Sequence, residues 1–253
     1  MRLRRVIKWT VLLLLAAVGI TAIVLYGFAS RPPAAYQVTV LTPDQKTDTA
    51  GDFYRRIQEF GNAIERKHDG PFEWVITQDE FNDALAALDA IVDKAGQGKG
   101  AEVRKAMEKA GVADPAVAMD SGVLTLMIRS TRYDKVVSAD IAMAVADDKL
   151  HVDLVGSRVG RMPFPVSFTK DLLAALRASA ARPAGDSNSS PALPRFAGVS
   201  PEDMSSALTA VLSAIDGQPI DPQFIWPVNR VRVRIEGISI DKEKMKLTVR
   251  ATR

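Results

Sequence analysis

The chain has 253 residues, 33 Lys and Arg against 30 Asp and Glu, two histidines and no cysteine. Without cysteine there are no disulfides, no cysteine-ligated zinc or iron–sulfur sites and no tether through a lipidated cysteine. Two histidines far apart in sequence argue against a histidine-rich metal centre. Arg2, Arg4, Arg5 and Lys8 hold four of the basic charges, so residues 9–253 carry 29 basic and 30 acidic side chains, a balance that implies no nucleic-acid partner.

Residues 9–28, WTVLLLLAAVGITAIVLYGF, contain no charge, Pro, Asn or Gln. At about 1.5 Å per residue this stretch reaches roughly 30 Å, the hydrocarbon thickness of a bilayer, and reads as a transmembrane helix. The four basic residues precede it and only Arg31 follows closely. The positive-inside rule therefore places residues 1–8 in the cytoplasm and everything beyond residue 30 outside the cell membrane. Trp9 and Tyr26 sit where interfacial aromatics belong. The alternative is a cleaved signal peptide with Gly27-Phe28-Ala29 as its small-x-small site. Signal cores run about 7–15 residues, so the length here favours a retained anchor. Both readings export the domain.

Residues 29–46, with Pro32, Pro33 and Pro43, read as an extended stalk in which Tyr36, Val38 and Val40 form a short strand. An extracytoplasmic domain follows at 47–253. Ala50, Phe53, Ile57, Phe60 and Ile64 recur at spacings of three and four, predicting an amphipathic helix over 48–67 that Asp69-Gly70-Pro71 ends. FEWVI, 72–76, is a strand with Phe72, Trp74 and Ile76 on one face. Thr77 with Glu80 forms a capping box and Ile76 with Phe81 a hydrophobic staple, opening a helix that runs to about Ala95 and buries Phe81, Leu85, Leu88 and Val92. Gly96 stops it, Gln97 to Gly100 is a flexible loop, and a short helix at 101–110 ends at Gly111.

The period then changes from 3.6 to 2. A short strand leads through the turn Asp120-Ser121-Gly122 to a long strand at 123–132, with Leu124, Leu126 and Ile128 on one face. Strands at 136–145 and 149–156 follow, joined at Asp147-Asp148, giving an antiparallel meander with His151 and Asp153 on its polar, solvated face. VGRMPFPVS, 159–167, is a rigid, extended exit from the sheet. A helix ends near Arg182, a mobile loop spans 183–198, and Ser200-Pro201 opens a helix with Met204, Leu208, Val211, Leu212 and Ile215 buried. In the last hairpin, turning at Asp241–Glu243, Val231, Val233 and Ile235 alternate with Arg230, Arg232 and Arg234. Met245, Leu247 and Val249 alternate with Lys246, Thr248 and Arg250.

No G-x-S-x-G, H-E-x-x-H, P-loop or cysteine nucleophile is present. Asp79 and Glu80 are explained by helix capping. A carboxylate-only hydrolase leaves no local signature, but the acids here fall in turns and caps, so the chain reads as no enzyme and needs no cofactor or metal. Two candidate surfaces remain. An apolar ligand would be lined by Phe72, Trp74, Ile76, Phe81, Leu85, Leu124, Leu126, Ile141 and Met143, residues that equally suit ordinary core packing. An anionic surface would be met by Arg230, Arg232, Arg234, Lys246 and Arg250, which equally suit a solvated outer face.

Basic tail, anchor, strand and ITQDEFNDALAAL, meander, VGRMPFPVS and VRVRIEGISIDKEKMKLTVRA occur in an order that resembles the YpmS-like family of bacterial membrane-anchored proteins. Thr77, Glu80 and Asn82 carry the likeness at the strand–helix junction, and Gly160, Pro163, Pro165 and Ser167 at the sheet exit. The resemblance covers about two-thirds of the chain and implies architecture rather than an activity. More remotely the layout looks like envelope proteins of the tubular lipid-binding type. The helices at 48–67 and 101–110 and the loop at 183–198 depart from the compact pattern of the YpmS-like family. The expectation is an α+β protein: an N-terminal transmembrane helix, then a curved antiparallel sheet packed against amphipathic helices. Its expected role is to bind a lipid or other apolar envelope component without catalysis. The alternative is a structural or assembly partner of another envelope protein, with no small-molecule ligand.

Overall fold

A computed structural model describes residues 20, 24, 26–66, 70–94, 98, 100–165, 218–225 and 231–252. Most of the expected span at 9–28, the helix ending near Arg182, the loop at 183–198 and the helix from Ser200 lie outside the described residues. No helix among the described residues is long and apolar enough to cross a membrane.

The fold is α+β with two antiparallel sheets. Helix α1 (Pro43–Arg66), strand β1 (Phe72–Thr77) and helices α2 (Gln78–Ala86), α3 (Leu88–Val92) and α4 (Gly100–Lys109) come first. Strands β2 (Val112–Asp120), β3 (Val123–Ser130), β4 (Lys135–Ala146), β5 (Lys149–Val159) and β6 (Met162–Phe164) follow, then β7 (Gln223–Ile225), β8 (Arg232–Asp241) and β9 (Lys244–Thr252). The meander β2-β3-β4-β5-β6 is one sheet and β1-β9-β8-β7 the other. The single curved sheet expected from the sequence is therefore two. The deciding contact is β1 against β9, from Phe72 opposite Val249 to Thr77 opposite Lys244, a pairing of chain ends that no local pattern encodes.

Local chemistry explains most boundaries. Thr77 accepts from the Glu80 N–H while the Glu80 side chain accepts from Thr77, the expected capping box. The same device opens α1: the Thr42 N–H donates to Gln45 Oε1 at 2.9 Å, and the Gln45 N–H donates to the Thr42 hydroxyl at 3.3 Å. The helix starts at Pro43, in the first-turn position where a missing N–H costs nothing, rather than at 48. The expected helix to Ala95 is interrupted at Ala87 (φ −101°, ψ 12°). Ala87 is fully buried and packs with Ala50, Ala84 and Ile91, so a close crossing of small residues sets the break. Ser121-Gly122 and Asp147-Asp148 turn with positive φ, the left-handed geometry of tight hairpins. The expected exit at VGRMPFPVS is instead a turn: Gly160 (φ 59°) reverses the chain and β6 returns along β5, with Pro163 opposite Arg158 on the sheet's outer strand, where proline is tolerated.

Of the five buried apolar clusters among the described residues, two are centres that bring the layers together. Phe60 and Ile64 of α1 press onto Val233 and Val249, with Phe72, Trp74 and Leu247 around them. The Phe60 ring centroid lies 4.9 Å from Trp74 and 5.5 Å from Phe72. The second centre joins the sheets: Ile76, Val117, Met119, Leu124 and Ile240, flanked by Phe81, Leu85 and Met143. Hydrogen bonds from the Gly122 N–H to the Ile240 carbonyl (2.8 Å) and from the Glu243 N–H to the Met119 carbonyl (3.0 Å) tie the β8–β9 tip to the β2–β3 turn.

The segment before α1 has no strand at Tyr36, Val38 and Val40, and it is not free-standing. Residues 26–30 are helical. Arg161 donates its N–H to the Phe28 carbonyl at 2.9 Å and its Nε to the Pro32 carbonyl at 3.0 Å. Lys135 donates to the Ser30 hydroxyl at 2.7 Å. Tyr36 packs against Ala116, Met127 and Val136 and donates its hydroxyl to the Asp114 carbonyl at 2.9 Å.

Candidate functional site

A groove of about 380 Å³ lies between the neck segment, α2–α4 and the start of β2, at the small end of the range for ligand sites. Val38 to Leu41 form one wall, Leu85 and Leu88 the second, Val103 and Met107 of α4 the third, and Val112 to Pro115 the floor. Val40 is 86% exposed, an apolar side chain beside an apolar cleft.

The α4 wall depends on one glycine. The Gly100 N–H donates to Asp93 at 2.6 Å, and a Cβ at Gly100 would lie 2.2 Å from the Asp89 carbonyl oxygen. Only glycine allows α4 to sit this close to α3. Charge gathers at the groove edge. Lys46 reaches both oxygens of Asp89 at 3.3 Å, and Arg104 reaches the same carboxylate at 3.6 Å. Glu108 and, on the floor, Asp114 also line the groove, so its lining is apolar in the main and charged in places.

A second recess of about 390 Å³ is mainly polar: beside Phe53 it is lined by Asp52, Arg55, Arg56, Glu59 and Glu80, with Thr49 and Asp83. Arg56 bridges the Glu80 carboxylate and the Val75 carbonyl. Burial pushes the Glu80 carboxyl up, but the hydrogen bond from the Thr77 backbone and the Arg56 guanidinium outweigh it, leaving it below the ordinary carboxylate value. Among the described residues no three His, Cys, Asp or Glu side chains converge as metal ligands.

The nine candidate apolar residues do not form one site. Phe72 and Trp74 sit under α1, while Ile76, Phe81, Leu85, Leu124 and Met143 gather where the sheets meet. Ile141 packs with Leu154, and Leu126 is 38% exposed. Leu85 is the member of the set that reaches the groove wall. The basic ladder is largely neutralised: Arg234 pairs with Asp148 at 2.7 Å, Arg250 with Glu236 at 2.6 Å and Lys246 with Glu73 at 3.3 Å. Arg232 is exposed and Arg230 lies outside the described residues.

The polar face of the meander also differs from its expected form. Asp153 is exposed, but Nε2 of His151 is buried with no hydrogen-bond partner. On the same face Asp140 is 6% exposed. It accepts from the Thr125 hydroxyl at 2.8 Å and pairs with Arg158. Gly156 stands across from it, where a Cβ would come within 2.5 Å of the carboxylate. Sequence reasoning passed over Asp140. A charged residue amid the alternating run KVVSADIAMAVA was the available signal. Tyr36, expected on a short strand, is instead held against the sheet; burial and the Asp114 charge raise the pKa of its hydroxyl above the ordinary value.

Comparison with family models, with curated proteins and with solved structures gave no match for the chain.

Proposed function

We propose that the protein is a non-catalytic envelope protein, anchored in the cell membrane by residues 9–28 with its α+β domain outside, and that the groove takes the apolar chain of a lipid or similar envelope component. One observation carries the reading. The groove wall Val38–Leu41 follows the apolar stretch within a dozen residues, and the floor Val112–Pro115 lies at the end of the five-stranded sheet where the neck is bound, since Val112 pairs with Ser130. An apolar cleft placed there opens beside the membrane that contains its ligand. The order of elements that resembles the YpmS-like family supports the same layout.

Purification of the full chain from native membranes, followed by mass spectrometry of retained lipid, tests it. Leu88→Trp and Val103→Trp, which fill the groove, are expected to lose most of the retained lipid while keeping the fold. Equal retention in wild type and both variants, or none in wild type, overturns the reading.

An assembly role without a ligand has one observation in its favour. Leu126 and Val137, each 38% exposed, are diagonal neighbours on one face of the five-stranded sheet. Crosslinking from these positions that returns one reproducible envelope protein supports it, and its absence counts against it.

A further inference from the structure

We infer that the end of the five-stranded sheet carrying the β3–β4 and β5–β6 turns is a docking surface for an anionic phospholipid membrane, pressed against it by the neck. This rests on the proposed anchor at 9–28, which it extends from a tether to a fixed orientation.

The last residues of the apolar stretch are fastened to the domain. The Phe28 carbonyl accepts from the Arg161 N–H, the Pro32 carbonyl from Arg161 Nε, and the Ser30 hydroxyl from Lys135. The Lys135 ammonium also lies 4.8 Å from the Tyr26 ring centroid. Gly160 completes the clamp: its φ is positive and a Cβ there would meet the Ala29 carbonyl at 2.3 Å. Residue 28 ends a span as long as the hydrocarbon core is thick, so groups bonded to 28–32 belong at headgroup level. A flexible stalk would leave the domain free to tumble; this neck does not.

What the clamp brings to that level is chemically matched to it. Arg31, Arg132 and Arg161 are exposed, and Tyr133 is 66% exposed with the Arg132 guanidinium 5.5 Å from its ring centroid. Among the described residues none of these arginines, nor Lys135, pairs with a carboxylate. The one acid of the β3–β4 turn, Asp134, is taken by Arg129 at 3.3 Å. Cations and an exposed tyrosine at one rim suit anionic headgroups and the interfacial zone. The opposite end of the sheet carries Asp120, Asp147 and Asp148 at its turns and stands roughly 26 Å away along β3, at about 3.3 Å per residue. The turns of this sheet thus differ in charge: unpaired cations stand toward the anchor, and Asp120 and Asp147 stand away from it, with Asp148 bonded to Arg234.

The chain lacks cysteine, so single labels are clean. Full-length Thr131→Cys and Asp147→Cys proteins, each carrying one spin label, are reconstituted into phosphatidylglycerol and phosphatidylcholine vesicles containing a nickel-chelating lipid. The label at 131 is expected to relax strongly against headgroup nickel, more so in the anionic vesicles, and the label at 147 to relax weakly. Arg132→Glu in the Thr131→Cys background is expected to lower the engaged population by more than about fivefold, since fivefold is the factor for losing one interfacial cation and the substitution also adds an anion. If 131 is no closer than 147 while the chain resists carbonate extraction, the docking surface is wrong and the anchor stands. Equal engagement on both lipids, unmoved by Arg132→Glu, overturns the anionic partner. Release of the chain by carbonate overturns the anchor, and the docking surface with it.

Discussion

The Asn82 side chain and the Val117 backbone, 35 positions apart, are joined by two hydrogen bonds: Nδ2 donates to the Val117 carbonyl at 3.1 Å, and the Val117 N–H donates to Oδ1 at 2.7 Å. One turn earlier on α2, Gln78 Oε1 accepts from the Met119 N–H at 2.8 Å. β2 is the outer strand of its sheet, and a helix has taken the place of the next strand, closing an edge that would otherwise offer itself to another chain.

Asn82→Leu removes both partners and leaves the Val117 N–H and carbonyl buried and unpaired. At about 1–3 kcal/mol for each of the two orphaned groups, a loss of about 2–6 kcal/mol in unfolding free energy is expected by urea titration. Amide exchange at Val117 should accelerate more than exchange in β4, and equal protection in both would refute the account.

The Glu80 carboxyl is held below its ordinary value of 4.5 in the folded state, whereas the unfolded chain titrates at the ordinary value. Its contribution to stability is therefore complete above that value and is lost as pH falls through the folded one. Glu80→Gln should flatten this part of the acid limb when the urea midpoint is followed downward from pH 7, and an unchanged limb would show that Glu80 is not its source.

Gly100→Ala drives a methyl into the Asp89 carbonyl, and either α4 shifts or the helix pair separates. A cost of about 1–3 kcal/mol is expected, typical of an overpacked contact. Lipid retained in the groove should fall in parallel, because α4 is one of its walls. Full stability with full retention would place the wall elsewhere.

Phe60→Ala empties the space between Trp74 and Phe72 beneath α1. A loss of about 3–5 kcal/mol is expected, with a red-shifted Trp74 emission, and retained lipid per folded molecule should not change. A selective loss of lipid would move the ligand from the groove to this core.

The elements readable in advance were those whose cause is local. The Thr77–Glu80 box, the turn at Ser121-Gly122 and the alternation of β4, β5, β8 and β9 each lie within a few residues of their own physical reason. Thr42 and Gln45 offered the same signal as Thr77 and Glu80, but Pro43 between them reads first as a breaker. Ala87 carries no breaker at all; its helix breaks because Ala50 of another helix lies against it. The candidate apolar residues share a periodicity but not a neighbourhood, since period places side chains on a face and says nothing of what that face meets. For the same reason the basic ladder of β8 and β9 was visible, while Asp148, Glu236 and Glu73, which neutralise most of it, were not visible as its partners.

The sequence by itself determined the unbroken apolar stretch at 9–28, the basic flank that makes the net charge positive, the absence of cysteine chemistry and, among the described residues, most of the helices and strands between 43 and 159 and the final hairpin. All are matters of composition and period, which need no second segment. Tertiary structure alone decided that β1 joins β9, that Asn82 closes the edge of β2, that α4 and the neck enclose a groove, and that Arg161 holds Phe28. Each of these is a contact between surfaces far apart along the chain, settled by which pairing buries the most apolar area while leaving the fewest backbone groups unpaired.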